Sequence, residues 1–97
     1  MATFIALANF TDQGIRSVQD TTKRADAVRE LAKKHGVTMK EIYWTLGSFD
    51  MVVVFEGADD AAMTAVGLAI AKAGNVRTQT LRAFGKDEMN AILAKIG

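Results

Sequence analysis

Cysteine and proline are both absent from this 97-residue chain, and histidine, tryptophan and tyrosine occur once each. Without cysteine there is no disulfide scaffold and no thiolate metal site, and His35 alone cannot assemble a histidine-rich metal cluster. The glycines form neither a GxGxxG nor a Walker pattern, so they give no support for a phosphate cradle, and no cofactor is expected. Charge of one sign is not in excess. Twelve Lys and Arg nearly cancel eleven Asp and Glu, and a net charge of +1 gives no case for attraction to nucleic acid or to an anionic membrane. The stretch from Ala58 to Ala73 is too short to span a bilayer and is interrupted by Asp59, Asp60, Thr64 and Lys72. Met1-Ala2-Thr3-Phe4 has no basic segment leading into an apolar run and a cleavage site, so a cytoplasmic location is expected.

What is present is enough for a single domain over residues 1–97. A composition of 49% hydrophobic and 24% charged residues lies in the globular range, and a chain of this length can bury one core without staples. Thr3 to Phe10 is apolar at nearly every position, the pattern of a central strand. Thr11 and the Asp20-Thr21 pair each offer an N-cap oxygen. Ile15 and Val18, then Ala25, Val28, Leu31 and Ala32, follow at helical spacing, which predicts one helix broken near Asp20 and closed by His35-Gly36.

Met39 to Leu46 alternates, with Ile42, Trp44 and Leu46 on one face and Glu41, Tyr43 and Thr45 on the other. Gly47-Ser48-Phe49 then turns the chain into the β-branched run Met51 to Phe55, making a hairpin. Asp59 caps a second helix carrying Met63, Val66, Gly67 and Ile70, which Gly74 ends. Val76 to Phe84 is a strand with Arg77, Gln79 and Arg82 among β-formers, suited to a sheet edge. Met89, Ile92, Leu93 and Ile96 mark a short amphipathic tail helix, for which Gly85 and Lys86 are poor caps.

The order β-α-β-β-α-β places strands one and three at the centre of a four-stranded antiparallel sheet and both helices on one face, an α+β fold with an extra C-terminal helix. Both central strands carry large apolar residues pointing both ways. Phe4 and Phe10 oppose Ile5 and Leu7, and Met51, Val53 and Phe55 oppose Val52 and Val54. Whichever set faces the helices, the other leaves an apolar sheet face that something must cover. A second copy is the simplest cover, and the tail helix folding beneath the sheet is the alternative.

Asp12-Gln13-Gly14-Ile15, Lys23-Arg24-Ala25, Tyr43-Trp44-Thr45-Leu46-Gly47, Asp59-Asp60 and the long segment from Gly74 to Phe84 together resemble the GYD-domain family of small bacterial proteins over almost the whole length. The resemblance implies a ferredoxin-like fold that pairs as a dimeric α/β barrel, with no settled activity. The family's Gly-x-Tyr-Asp pattern reads Gly47-Ser48-Phe49-Asp50 here, without the tyrosine hydroxyl.

The residues that could serve a ligand are Tyr43, Trp44, Phe49, Asp50, Arg77, Thr78 and Arg82. In a homodimer, strand four of one copy can approach strand two of the other. Tyr43 and an arginine would then line a shared apolar pocket for a small organic molecule bearing a carboxylate or enolate. Asp50 is either a desolvated base or, more often for an Asp so placed, an acceptor for backbone donors of the hairpin. His35 fits a helix end better than a proton shuttle, and Trp44 is expected in the core or an interface. No nucleophile, base and orienting group can be assembled, so catalysis is left open. Three classes follow: a small-molecule-binding homodimer, a non-catalytic self-associating module, and an RNA binder of RRM type. The last is disfavoured because Ala6 stands where that motif places a stacking aromatic.

Overall fold

The computed structural model describes residues 1–97. Their order is β1 (Ala2–Phe10), α1 (Asp12–Arg16), a 3-10 turn (Val18–Asp20), α2 (Thr21–Lys34), β2 (Thr38–Trp44), β3 (Met51–Gly57), α3 (Asp60–Lys72), β4 (Val76–Ala83) and α4 (Lys86–Lys95). The strands form one antiparallel sheet in the order β2-β3-β1-β4, so the two most apolar strands are central, as their composition requires.

Strand alternation settles which apolar set meets the helices. Phe4, Ala6 and Ala8 of β1 and Met51, Val53 and Phe55 of β3 are buried, while Ile5, Leu7, Val52 and Val54 between them are half-buried. Phe4, Ala6, Val53 and Phe55 of this set join Ala32, Val37, Met63, Val66 and Ile70 in one core under α2 and α3. A bulge in β2 between Met39 and Glu41 inserts one residue, so that Met39 and Ile42, three apart, both face the helices. Strict alternation from Ile42 onward misses Met39 for this reason.

The caps explain the helix boundaries. Thr11 Oγ1 accepts the Gly14 N–H at 3.1 Å and Asp59 Oδ1 accepts the Ala62 N–H at 2.9 Å, both as their side chains imply. The break near Asp20 is complete, so two helices stand where a kinked one is expected. Asp20 makes no capping bond, and the Thr21 hydroxyl instead accepts Trp44 Nε1–H at 3.1 Å. Arg24 holds the junction, donating from Nη1 to Ser17 O and Oγ at 2.9 and 2.8 Å and from Nη2 to Gly14 O at 3.1 Å. Gly36 and Gly74 end their helices with φ of 72° and 85°, where a side chain would be strained.

Gly85 is the N-cap of α4 after all: it has no side chain to accept from the first turn, but Glu88 Oε1 reaches back to accept the Gly85 N–H at 3.2 Å, the half of a capping box that needs none. It does not fold beneath the sheet. The shortest dimension of the molecule is 17 Å, room for one sheet and one helix layer, whereas a third layer would add about 10 Å. α4 instead follows β4 without extended packing on another element, and Met89, Leu93 and Ile96 are exposed. No helix is long and apolar enough to cross a membrane.

Candidate functional site

The face of the sheet away from the helices can be written as cross-strand rows from β2 to β4. Thr38, Glu56, Thr3 and Ala83 form the first, Glu41, Val54, Ile5 and Leu81 the second, and Tyr43, Val52, Leu7 and Gln79 the third, with Asn9 and Arg77 above them. Five large aliphatic residues thus sit at the middle, rimmed by acids at the β2–β3 side and by Arg77 at the far corner. Tyr43 is 55% and Leu81 44% exposed, and Tyr43 Oη donates to Glu41 Oε2 at 3.3 Å.

The seven sequence-derived candidates do not converge within one chain. Tyr43 and Arg77 lie on this open face, at opposite edges. Trp44, Thr78 and Arg82 lie in register with Met51, Ala8 and Phe4 on the helix face, so Tyr43 and Arg82 are separated by the sheet. Phe49 and Asp50 lie in the β2–β3 turn. Asp50 is a clip: its Oδ2 accepts the Phe10 N–H, its own N–H donates to Ala8 O, and its carbonyl accepts the Thr45 N–H, each at 2.9 Å. The backbone reading of Asp50 therefore accounts for its contacts, although the carboxylate serves β1 rather than the hairpin. Phe49 contributes its carbonyl, which accepts Thr45 Oγ1–H at 2.6 Å. Trp44 is 41% exposed against the start of α2, outside the core, the first of the two places expected for it. His35 is the exposed C-cap of α2.

Arg82 organises the base of α4. Its guanidinium stacks over Phe84 at 4.5 Å and Phe4 at 5.7 Å, pairs with Glu88 at 3.1 Å, and donates to the carbonyls of Thr3 and Ala83. The Gly85 N–H, then Arg82, holds the Glu88 carboxyl below its ordinary value. A depressed carboxyl stabilises the attached α4 above the unfolded pKa of about 4.3, and that contribution is lost as pH falls through the lower folded value. Titration of methyl or amide signals in α4 should show the helix loosening below about pH 4, with Arg82→Ala producing the same loosening at neutral pH. An α4 signal set indifferent to both changes would contradict this anchoring.

Three features escape the sequence reading. The first is a clasp joining α1 to the start of β4. Thr11 Oγ1–H donates to Gly74 O at 2.6 Å, the Thr11 N–H to Asn75 O at 3.1 Å, and Gln13 Nε2 to Ala73 O and Asn75 Oδ1 at 3.0 Å. Gly14 lies so close that an added Cβ would stand 1.9 Å from Asn75 O. The second is Arg24, described above. The third is a cavity of about 230 Å³ between α2, α3 and the helix face, lined by 20 residues of which 16 are apolar. The recurrence of alanine on the β1, α2 and α3 walls, at Ala6, Ala8, Ala25, Ala69 and Ala73, was its only sequence signal. Facing small residues leave volume unfilled.

The GYD domain, as a family, matches residues 4–93. The chain belongs to the GYD-domain family. A relative from Thermus thermophilus is 37% identical over 85 residues, which are 87% of this chain and 90% of the relative; it is named glutamine synthetase and cystathionine beta-lyase binding protein. The crystal structure of TTHA0845, also from Thermus thermophilus, superposes with a TM-score of 0.57 at 24% identity, covering 88% of this chain and 95% of that one. That likeness shows a shared fold. In this GYD domain the turn uses Phe49 through its carbonyl and Asp50 through its carboxylate, so the clip needs no tyrosine hydroxyl.

Proposed function

We propose that this GYD domain is a non-catalytic cytoplasmic homodimer that docks on metabolic enzymes. The observation that carries the self-association is the open sheet face, whose aliphatic centre has no cover within the chain. Strands of seven to nine residues at about 3.3 Å per residue, four abreast at about 4.8 Å, present a face near 20 by 25 Å, enough for the roughly 1,000 Å² in total that a specific interface needs. A two-fold axis along the opposite diagonal of the stacked sheets would set Arg77 of each copy against the acidic corner of the other, which suits an identical partner. Separation of the candidate residues between two faces and a turn speaks against an assembled catalytic group.

Enzyme docking is supported by the 37% identical relative, whose name describes binding to glutamine synthetase and cystathionine beta-lyase. With the sheet face used for pairing, the exposed Met89, Leu93 and Ile96 of α4 offer a helix for a groove on such an enzyme. Immobilised chain and purified glutamine synthetase from the same organism should give saturable interferometry binding, with Kd at or below about 10 µM, and removal of α4 should weaken it at least tenfold. No binding of either glutamine synthetase or cystathionine beta-lyase would sink the docking reading. The placement of Tyr43 and Arg77 on one face favours a second reading, in which the rim of the dimer contact holds a small organic carboxylate.

A further inference from the structure

The 230 Å³ cavity lies on the opposite side of the sheet from the surface used in the proposed self-association. Well-packed interiors hold few voids larger than a water molecule, and an apolar cavity of about 150 Å³ already admits benzene. Its shape is set by its walls. The lining runs along α2 from Thr21 to Leu31, about 15 Å at 1.5 Å per residue, with Ala69 of α3 and its C-cap Ala73 across the seam. Alanines on both helices leave that seam unfilled along its length. The exposed Ala27 and Ala73 show that it reaches the surface along the α2–α3 seam.

Only four lining residues are polar: Thr21, Arg24, Asn75 and Thr78. Arg24 is the one charge among them. No carboxylate of the chain lies within 4.0 Å of it, and its bonds to Ser17 and Gly14 fix its position, leaving the rest of its five N–H groups for another acceptor. A fixed, uncompensated guanidinium at one end of a long apolar space selects a molecule with an anionic head and a linear tail.

We infer that the α2–α3 seam binds a medium-chain aliphatic carboxylate, its chain along the alanine walls and its carboxylate on Arg24. Octanoate is the probe. Titrated into the full chain, it should shift the methyl signals of Val28, Ile42, Val53 and Ile70 with one saturable Kd below about 1 mM, and octanol should bind there about tenfold more weakly. Arg24→Gln should remove that tenfold preference while octanol affinity stays unchanged, the octanol result confirming that the variant is folded. Ala25→Leu, which fills the seam, should abolish binding of both probes without lowering the melting temperature. Shifts confined to Ile5, Leu7 and Val52 on the open face, no shift at all, a preference for octanoate that survives Arg24→Gln, or binding that survives Ala25→Leu would each overturn the assignment.

Discussion

Leu7→Asp should leave a folded monomer. Leu7 is at the centre of the open face, opposite Val52 and Gln79, half-buried in the single chain and outside the core cluster. The change costs the fold little beyond the lower strand propensity of aspartate, on the order of 1 kcal/mol. In the dimer it places a carboxylate from each copy in an aliphatic contact, where an unpaired charge is far more costly than in water. Association should weaken by at least about 100-fold, equivalent to roughly 2.7 kcal/mol. Light scattering should report a monomer at concentrations where the unaltered chain is paired, while circular dichroism keeps its cooperative melt. A variant that remains dimeric would place the contact elsewhere, with α4 the next surface to delete.

Gly14→Ala should destabilise the chain on the order of 3 kcal/mol, although helix propensity alone predicts a gain of about 1 kcal/mol. The two effects have opposite signs, and the geometry decides between them. A Cβ at this position meets Asn75 O at 1.9 Å, and that oxygen belongs to backbone held by Thr11 and Gln13, which cannot swing aside as a flexible side chain would. Relief requires α1 and the start of β4 to separate, opening the clasp. For a domain of this length the melting temperature should fall by more than about 10 °C. A higher melting temperature would show that the clasp is loose and that propensity dominates.

The sheet order was legible because β1 and β3 are apolar at successive positions and therefore central, while β2 and β4 carry charge and therefore lie at the edges. Thr11 and Asp59 were legible as caps because each stands before a helix with its oxygen in reach of the third residue on. Asp20 misled for the opposite reason: its residue type suits a cap, but the chain enters α2 from a 3-10 turn and the side chain finds no N–H. The site was less legible than the fold. Tyr43 and Trp44 are neighbours in sequence and lie on opposite faces of the sheet, a consequence of alternation. Whether either face forms a pocket depends on helix placement, which periodicity does not report. The clasp joins residues about sixty positions apart through backbone carbonyls, and carbonyls carry no sequence signature. The cavity is a property of several alanines converging from β1, α2 and α3 with its C-cap, each one ordinary in its own segment.

Everything about the role of the open face depends on whether a second copy covers it, and sedimentation equilibrium of the unaltered chain across roughly 1–100 µM tests that most directly. Pairing through this face predicts a species of twice the 10.5 kDa chain mass over the upper part of that range. A single species of 10.5 kDa at every concentration would contradict it, leaving the aliphatic centre of the sheet exposed to water or reserved for a different partner.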